Sequence, residues 1–295
     1  MCLENILQKH LVLKTIRDHL YTEKFIEVTT PVLRKTHNET FPRVKLKEGV
    51  YLRDSMEMAL RNTLRYYDKV YEIGPCFRNE VGTSIEHLPE FTMLELYIVD
   101  KNIQYLIDLT KSILTSLKSE LQFEIVSIAQ IIKTELDVDI FTASEDTFLK
   151  KIMSQYSLEE NTPSYLVANK YIEDRIEPTS KGRCVCFVDY PTCTLSYANR
   201  KNGFPGVINR FEVFINGLEI AHAYEDETDL LSFQSRASEI NLYGLEEEFI
   251  SKQIEEGNLP RHTAGLGIGI ERLCMALNEQ ENIKEFMFSK PFSIY

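Results

Sequence analysis

The chain has 295 residues, 43% hydrophobic, 11% aromatic and 26% charged, enough to bury a sizeable core in one large domain or two small ones. A formal net charge of −12 argues against extensive contact with a long nucleic acid, which draws its grip from a basic surface. There is no repeat, no low-complexity tract and no apolar run long enough to span a bilayer, and the opening residues lack a signal peptide's apolar core.

Residues 3–20 carry apolar positions near helical spacing, which predicts a helix. "FIEVTTPVL" (25–33) reads as a strand closed by Pro31. The next segment, 49–74, predicts a short strand, a helix from Asp54 or Ser55 and a second strand from Val70; residues 91–99 form another. From about 102 to 180 the pattern is mainly helical, and strands return at "CVCFVDY", "RFEVFINGLEIAHAY" and "GLGIGI". Strands at both ends, hairpin signals and no βαβ alternation argue for an α+β fold, an antiparallel sheet flanked by helices. The six cysteines make no CxxC pair and the six histidines are scattered, so neither a zinc site nor a disulfide framework is expected, as suits a reduced, cytoplasmic protein.

Three stretches carry chemistry. In "CFRNEVGTSIEHLPEFTMLELY" the pleat puts Phe91, Met93, Glu95 and Tyr97 on one face and Thr92, Leu94, Leu96 and Ile98 on the other. The second is a core face; the first is either a solvated surface or a recognition surface. Arg78 and Glu80 share a face on the preceding strand, and Glu86 and His87 lie on the joining loop. The fork of Arg78 suits a phosphate, and Phe91 a flat base.

Asn216-Gly217 marks a tight hairpin, in which Phe214 faces Glu219 and Glu212 faces Ala221. Glu212 and Glu219 then share a face, either solvated or bridged by a cation such as the Mg²⁺ of a triphosphate. Strict alternation sends His222, Tyr224 and Asp226 to the opposite face, so a bulge is needed to bring them in. In "TAGLGIGIERL", Gly265, Gly267 and Gly269 alternate with Leu266, Ile268 and Ile270. That leaves one bare backbone face, suited to a planar ligand or to tight helix packing, and Arg272 begins the helix that follows.

These stretches resemble the three signature motifs of class II aminoacyl-tRNA synthetases of the lysine-type subgroup. "FIEVTTPVL" resembles motif 1, "YEIGPCFRNE…HLPEFTMLELY" motif 2 and "GLGIGIERL" motif 3; "NRFEVFINGLEIA" and "FVDYPTCTLSYANR" are similar to lysine-type segments. The resemblance covers nearly all of a catalytic core. It implies one catalytic domain over 1–295, homodimerisation through residues 25–33, and activation of an amino acid by ATP with Mg²⁺. By position it implies Arg78 at the α-phosphate and substrate carboxylate, and Arg272 at the γ-phosphate. Glu80, His87, Phe91, Gly267 and Gly269 would meet ATP, and Glu212 and Glu219 the magnesium. The amino-acid pocket would hold Ser55, Glu57 at the α-amino group, Glu95 and Tyr97 at a side-chain amine, and His222, Tyr224 and Asp226. Two positions depart from the family: His222 replaces an asparagine and Asp226 the pocket's glutamate.

Lysine or a similar diamino acid is the expected substrate, because buried carboxylates are left unpaired by a neutral ligand. With motif 1 beginning at Phe25, an N-terminal anticodon-binding domain is not expected. The leading acceptor is then a protein, as for the elongation factor P lysine ligase, whose "SPE" resembles Ser55-Met56-Glu57. The alternatives are tRNA, favoured by Gly267 as in lysyl-tRNA synthetases, and a small molecule. The "HLPEF" loop end is similar to asparagine-type enzymes. A silent regulatory paralogue would have lost the motif arginines or the metal acids, and all are present.

Overall fold

The structure, a computed structural model, describes residues 3–35, 43–79, 84–143, 145–239 and 243–287. In chain order its elements are α1 (Leu3–Thr22), β1 (Ile26–Glu27), β2 (Leu33–Arg34), β3 (Lys45–Lys47), β4 (Val50–Leu52), α2 (Glu57–Thr63), β5 (Lys69–Phe77), β6 (Glu90–Val99), α3 (Ile103–Leu117) and β7 (Phe123–Ser127). There follow α4 (Ile128–Leu136), α5 (Asp146–Tyr156), α6 (Ser164–Tyr171), β8 (Cys184–Pro191), β9 (Val207–Ile215), β10 (Leu218–Glu225), α7 (Leu230–Glu239), α8 (Leu245–Glu255), β11 (Thr263–Gly269) and α9 (Ile270–Leu277).

The main sheet has the order β1-β5-β6-β11-β10-β9-β8-β7, and β2, β4 and β3 form a small second sheet. The inner pairs are antiparallel, but the two outer pairs, β1 with β5 and β7 with β8, run parallel. The antiparallel expectation therefore holds for the body of the sheet and fails at its edges. Parallel neighbours need a long crossover, and the helices α4, α5 and α6 supply one between β7 and β8.

Alternation explains which face is which. Leu94, Leu96 and Ile98 of β6, Leu266 and Ile268 of β11, and Phe211 and Val213 of β9 turn to one side and bury against α1, α3 and α9. On the other side Phe187 and Phe214 pack with Ile128, Ile132 and Phe148, while Met56, Leu60, Val70 and Tyr97 make a smaller cluster. The cavity opens between these two clusters.

Two further expectations change. The strand over 25–33 is reduced to two short pairs in different sheets, β1 and β2. Pro31 lacks the N–H a continuous ladder needs, and Thr30 is diverted to buried side chains: its N–H donates to Glu72 at 2.8 Å, and its carbonyl accepts from Arg53 at 3.1 Å. Within the segment read as mainly helical, β7 adds a strand. Among the described residues no helix is long and apolar enough to cross a membrane, and Cys76, Cys184, Cys186, Cys193 and Cys274 are unpaired.

Candidate active site

A cavity of about 460 Å³ opens on the face of the sheet that carries Glu95, Glu212 and His222, with Arg272 of α9 at its border, within the range of about 300–1,000 Å³ usual for small-molecule sites. Its floor follows from strand pairing. One rung runs Tyr97, Gly265, Tyr224, Arg210; the next runs Glu72, Glu95, Gly267, His222, Glu212. Directly paired residues share a face, so β11 lays a bare backbone strip between walls of functional side chains. A Cβ on Gly265 would stand 2.3 Å from the Tyr97 ring.

The β9–β10 hairpin turns on Asn216 and Gly217, both at positive φ (52° and 85°), as a primed two-residue turn requires. Phe214 pairs with Glu219 as the spacing predicts, but the register shifts between Glu219 and Ala221. Glu212 therefore faces His222 and not Ala221. This bulge brings Glu219, His222 and Tyr224 to the same cavity and leaves Ala221 and Ala223 in the apolar core. Without it an imidazole and a phenol would be buried among hydrocarbon, at a cost neither alanine incurs.

At one end stand two arginines. Arg78, beyond β5, lies with its guanidinium 5.2 Å from the centre of the Phe91 ring, and its Nε is buried with no hydrogen-bond partner among the described residues. Arg272, in the first turn of α9, donates to the Glu86 carbonyl at 3.2 Å, to Glu219 at 3.4 Å and to His87 Nε2 at 2.7 Å. Since His87 Nε2 accepts, its proton sits on Nδ1 and points to Ser84 Oγ at 2.8 Å. Glu80 lies outside the described residues. Glu271, missed in the sequence, pins this end: it accepts from Thr92 N at 2.8 Å and from Lys9 at 2.6 Å.

Deeper in, one ligand atom each from Glu212, Glu219 and His222 lies within 4.8 Å of the other two. Glu212 also accepts from Tyr190 at 2.7 Å and from Arg210. Burial alone would raise Glu212, but Arg210 and the Tyr190 hydroxyl together hold it below the usual carboxylate range. Burial and the neighbouring Glu212 push Glu219 up. Burial, with help from Arg210, lowers His222 to about 3, so its ring is neutral. Its Nε2 has no hydrogen-bond partner among the described residues. Two glutamates and the imidazole, whose Nδ1 stands 4.0 Å from Glu212 Oε1, fit a divalent ion. Arg210 was legible in principle: it sits two residues before Glu212, on the same face of the strand.

The third group is a nest of acids and phenols. Glu95 accepts from Ser55 Oγ at 2.9 Å and Met56 N at 3.1 Å, and Glu57 accepts from the Tyr224 hydroxyl. Burial raises both acids, Glu57 to about 8. Helix α2 starts at Glu57, two or three residues later than expected, because Asp54 is tied to Arg43 at 2.9 Å and Ser55 to Glu95. Asp226 does not join this wall. It lies behind it, 1% exposed, paired with Arg61 Nε at 3.2 Å and bonded to Thr263. Arg61 was missed, although it follows Glu57 by four residues on α2 and so shares its face.

Residues 2–290 match the family described as tRNA synthetases class II (D, K and N). The chain is 29% identical to a lysine–tRNA ligase of Saccharolobus solfataricus, with 94% of the chain and 62% of that protein aligned. It is 30% identical to lysine–tRNA ligases of Fervidobacterium nodosum (93% and 59%) and Thermosynechococcus vestitus (94% and 61%). The chain thus spans about three fifths of the length of these relatives. A motif match over nearly the whole sequence, joined to an arginine-walled, glycine-floored cavity, makes this chain a member of the class II tRNA synthetase family.

Proposed function

We propose that this chain activates lysine with ATP and passes the activated amino acid to a tRNA. The observation supporting this most directly is that Arg78, Arg272 and the Glu212–Glu219 pair border one cavity beside Gly265, Gly267 and Gly269. In this reading a carboxylate oxygen of lysine attacks the α-phosphorus in line. The bond from that phosphorus to the oxygen bridging it to the β-phosphorus breaks, so lysyl adenylate forms and pyrophosphate leaves. A ribose hydroxyl of the tRNA then attacks the carbonyl carbon, and AMP departs.

Each residue works by position and charge. Arg78 holds the carboxylate and the α-phosphate together, its Nε without a hydrogen-bond partner among the described residues. Arg272 takes the γ-phosphate, steadied by Glu86 and His87, and Phe91 stacks on adenine above the glycine strip. Glu212 and Glu219 would hold Mg²⁺, which when bound neutralises phosphate charge. Glu57 receives the α-ammonium, while Glu95, Tyr97 and Tyr224 line the side-chain end. Asp226 acts only through Arg61, shaping the wall. The lysine carboxylate attacks already ionised, so activation requires no protein base; in transfer the proton of the ribose hydroxyl leaves with the phosphate oxygen of AMP.

The names of the relatives support lysine as substrate and tRNA as acceptor. They lend no support to the elongation factor P acceptor expected from the sequence. The test is lysine-dependent exchange of labelled pyrophosphate into ATP, repeated with ornithine, β-lysine and asparagine, and then transfer to tRNA or to elongation factor P. Exchange with lysine is expected, falling by about 10²-fold or more in Arg78→Ala and Arg272→Ala. No exchange with any amino acid would favour a silent regulatory paralogue.

A further inference from the structure

We infer that His222 is a third ligand of the cation held by Glu212 and Glu219, and that its nitrogen makes the site prefer a transition-metal ion such as Mn²⁺ or Co²⁺ over Mg²⁺. This rests on the proposed metal role of the two glutamates and goes beyond it. The bulge after Glu219 places the imidazole directly opposite Glu212; unbulged, Ala221 would stand there. The three ligand atoms lie within 4.8 Å of one another, with His222 Nδ1 4.0 Å from Glu212 Oε1. Donors sharing one ion at about 2.1 Å stand about 3 to 4 Å apart, so modest side-chain rotation closes the set.

The partners of each group leave room for the ion. Tyr190 and Arg210 each occupy one direction at a Glu212 oxygen, and each carboxylate oxygen keeps a further lone pair. Glu219 is held loosely, by Arg272 at 3.4 Å. Mg²⁺ demands oxygen ligands and dehydrates reluctantly. An imidazole instead raises affinity along the order Mn²⁺ to Co²⁺ and beyond. A purely oxygen-lined pair of acids would not make that distinction.

The experiment uses the full chain with ¹⁵N confined to histidine, Mn²⁺, and an ATP analogue that cannot be cleaved between its α- and β-phosphorus. Pulsed electron paramagnetic resonance then reads the nuclei bound to manganese. A ¹⁵N coupling of directly ligated imidazole is expected in the wild type and lost in His222→Asn. In competition, Mn²⁺ affinity should drop at least about tenfold in His222→Asn, while Mg²⁺ affinity holds. The wild-type spectrum decides even if the variant folds poorly. Mn²⁺ bound with no ¹⁵N coupling overturns the inference and leaves the two-glutamate site standing. Mn²⁺ affinity unchanged in both Glu212→Gln and Glu219→Gln overturns the metal site itself.

Discussion

A carboxyl that stays neutral until its ligand arrives leaves a trace in proton traffic. Glu57 is partly buried beside Tyr224, and burial raises it from 4.5 to about 8. The folded chain therefore holds this proton more tightly than the unfolded chain does. Its contribution to stability is complete below about pH 4.5 and disappears as pH rises through about 8. Glu57→Gln keeps an acceptor for Tyr224 and removes the titration. It should melt higher than the wild type at pH 8, by about 2–4 °C for each kcal/mol recovered, and at the same temperature at pH 4. Binding a lysine ammonium requires the ionised form, so calorimetry at pH 7 in buffers of different ionisation enthalpy should detect proton release in the wild type and none from this position in Glu57→Gln. Equal release in both would remove Glu57 from the ammonium site.

Strand β11 meets different neighbours along its length. At Gly265 a new Cβ would meet the Tyr97 ring at 2.3 Å, and a ring packed into a buried cluster cannot retreat. At Gly267 the nearest atom is the Met93 methyl at 3.1 Å, the free end of an adaptable side chain. Gly265→Ala is accordingly expected to cost about 10²-fold in kcat/KM for the amino acid, with KM for ATP nearly unchanged. Gly267→Ala should cost the amino acid much less. Similar losses for both substrates in Gly265→Ala would show that the strand does not divide the site in this way. The same region marks what a sequence can disclose. Alternation in β6 and β11 and the Asn216-Gly217 turn are local, so both faces and the hairpin were readable. The bulge was recognisable only as a need, because the choice between His222 and Ala221 is made by the apolar core across the sheet. The Arg61–Asp226 pair was hidden for a similar reason: it joins residues from α2 and from beyond β10. Strand β7 escaped notice because it is a short edge strand with Glu124 and Ile125 exposed, carrying neither alternation nor a buried run.

Assembly follows from what the folded chain leaves uncovered. Leu3, Leu7 and Leu11 recur every four residues on α1 and remain 74%, 55% and 45% exposed, and Ile26 and Leu33 of the adjoining segment are 44% and 58% exposed. Scattered apolar residues are ordinary on a surface, but a helical stripe continuing into the 25–33 segment suits a second copy of the chain. That segment is also wired to the cavity. Arg53, 1% exposed, donates to the Thr30 carbonyl, to Glu72 at 2.6 Å and to the Pro75 carbonyl at 2.8 Å. Pro75 lies three residues before Arg78 on the same chain, so disturbing residues 25–33 is transmitted to Arg78 through a buried ion pair that is costly to break. Sedimentation of the wild type should therefore give a dimer at micromolar concentration, and Leu7→Glu combined with Leu11→Glu should give a monomer. The monomer should keep its secondary structure by circular dichroism yet lose most of its pyrophosphate exchange, recovering none of it when ATP is raised. A monomer with full exchange activity would show that the cavity is complete within one chain and that the network from Thr30 to Pro75 serves stability alone.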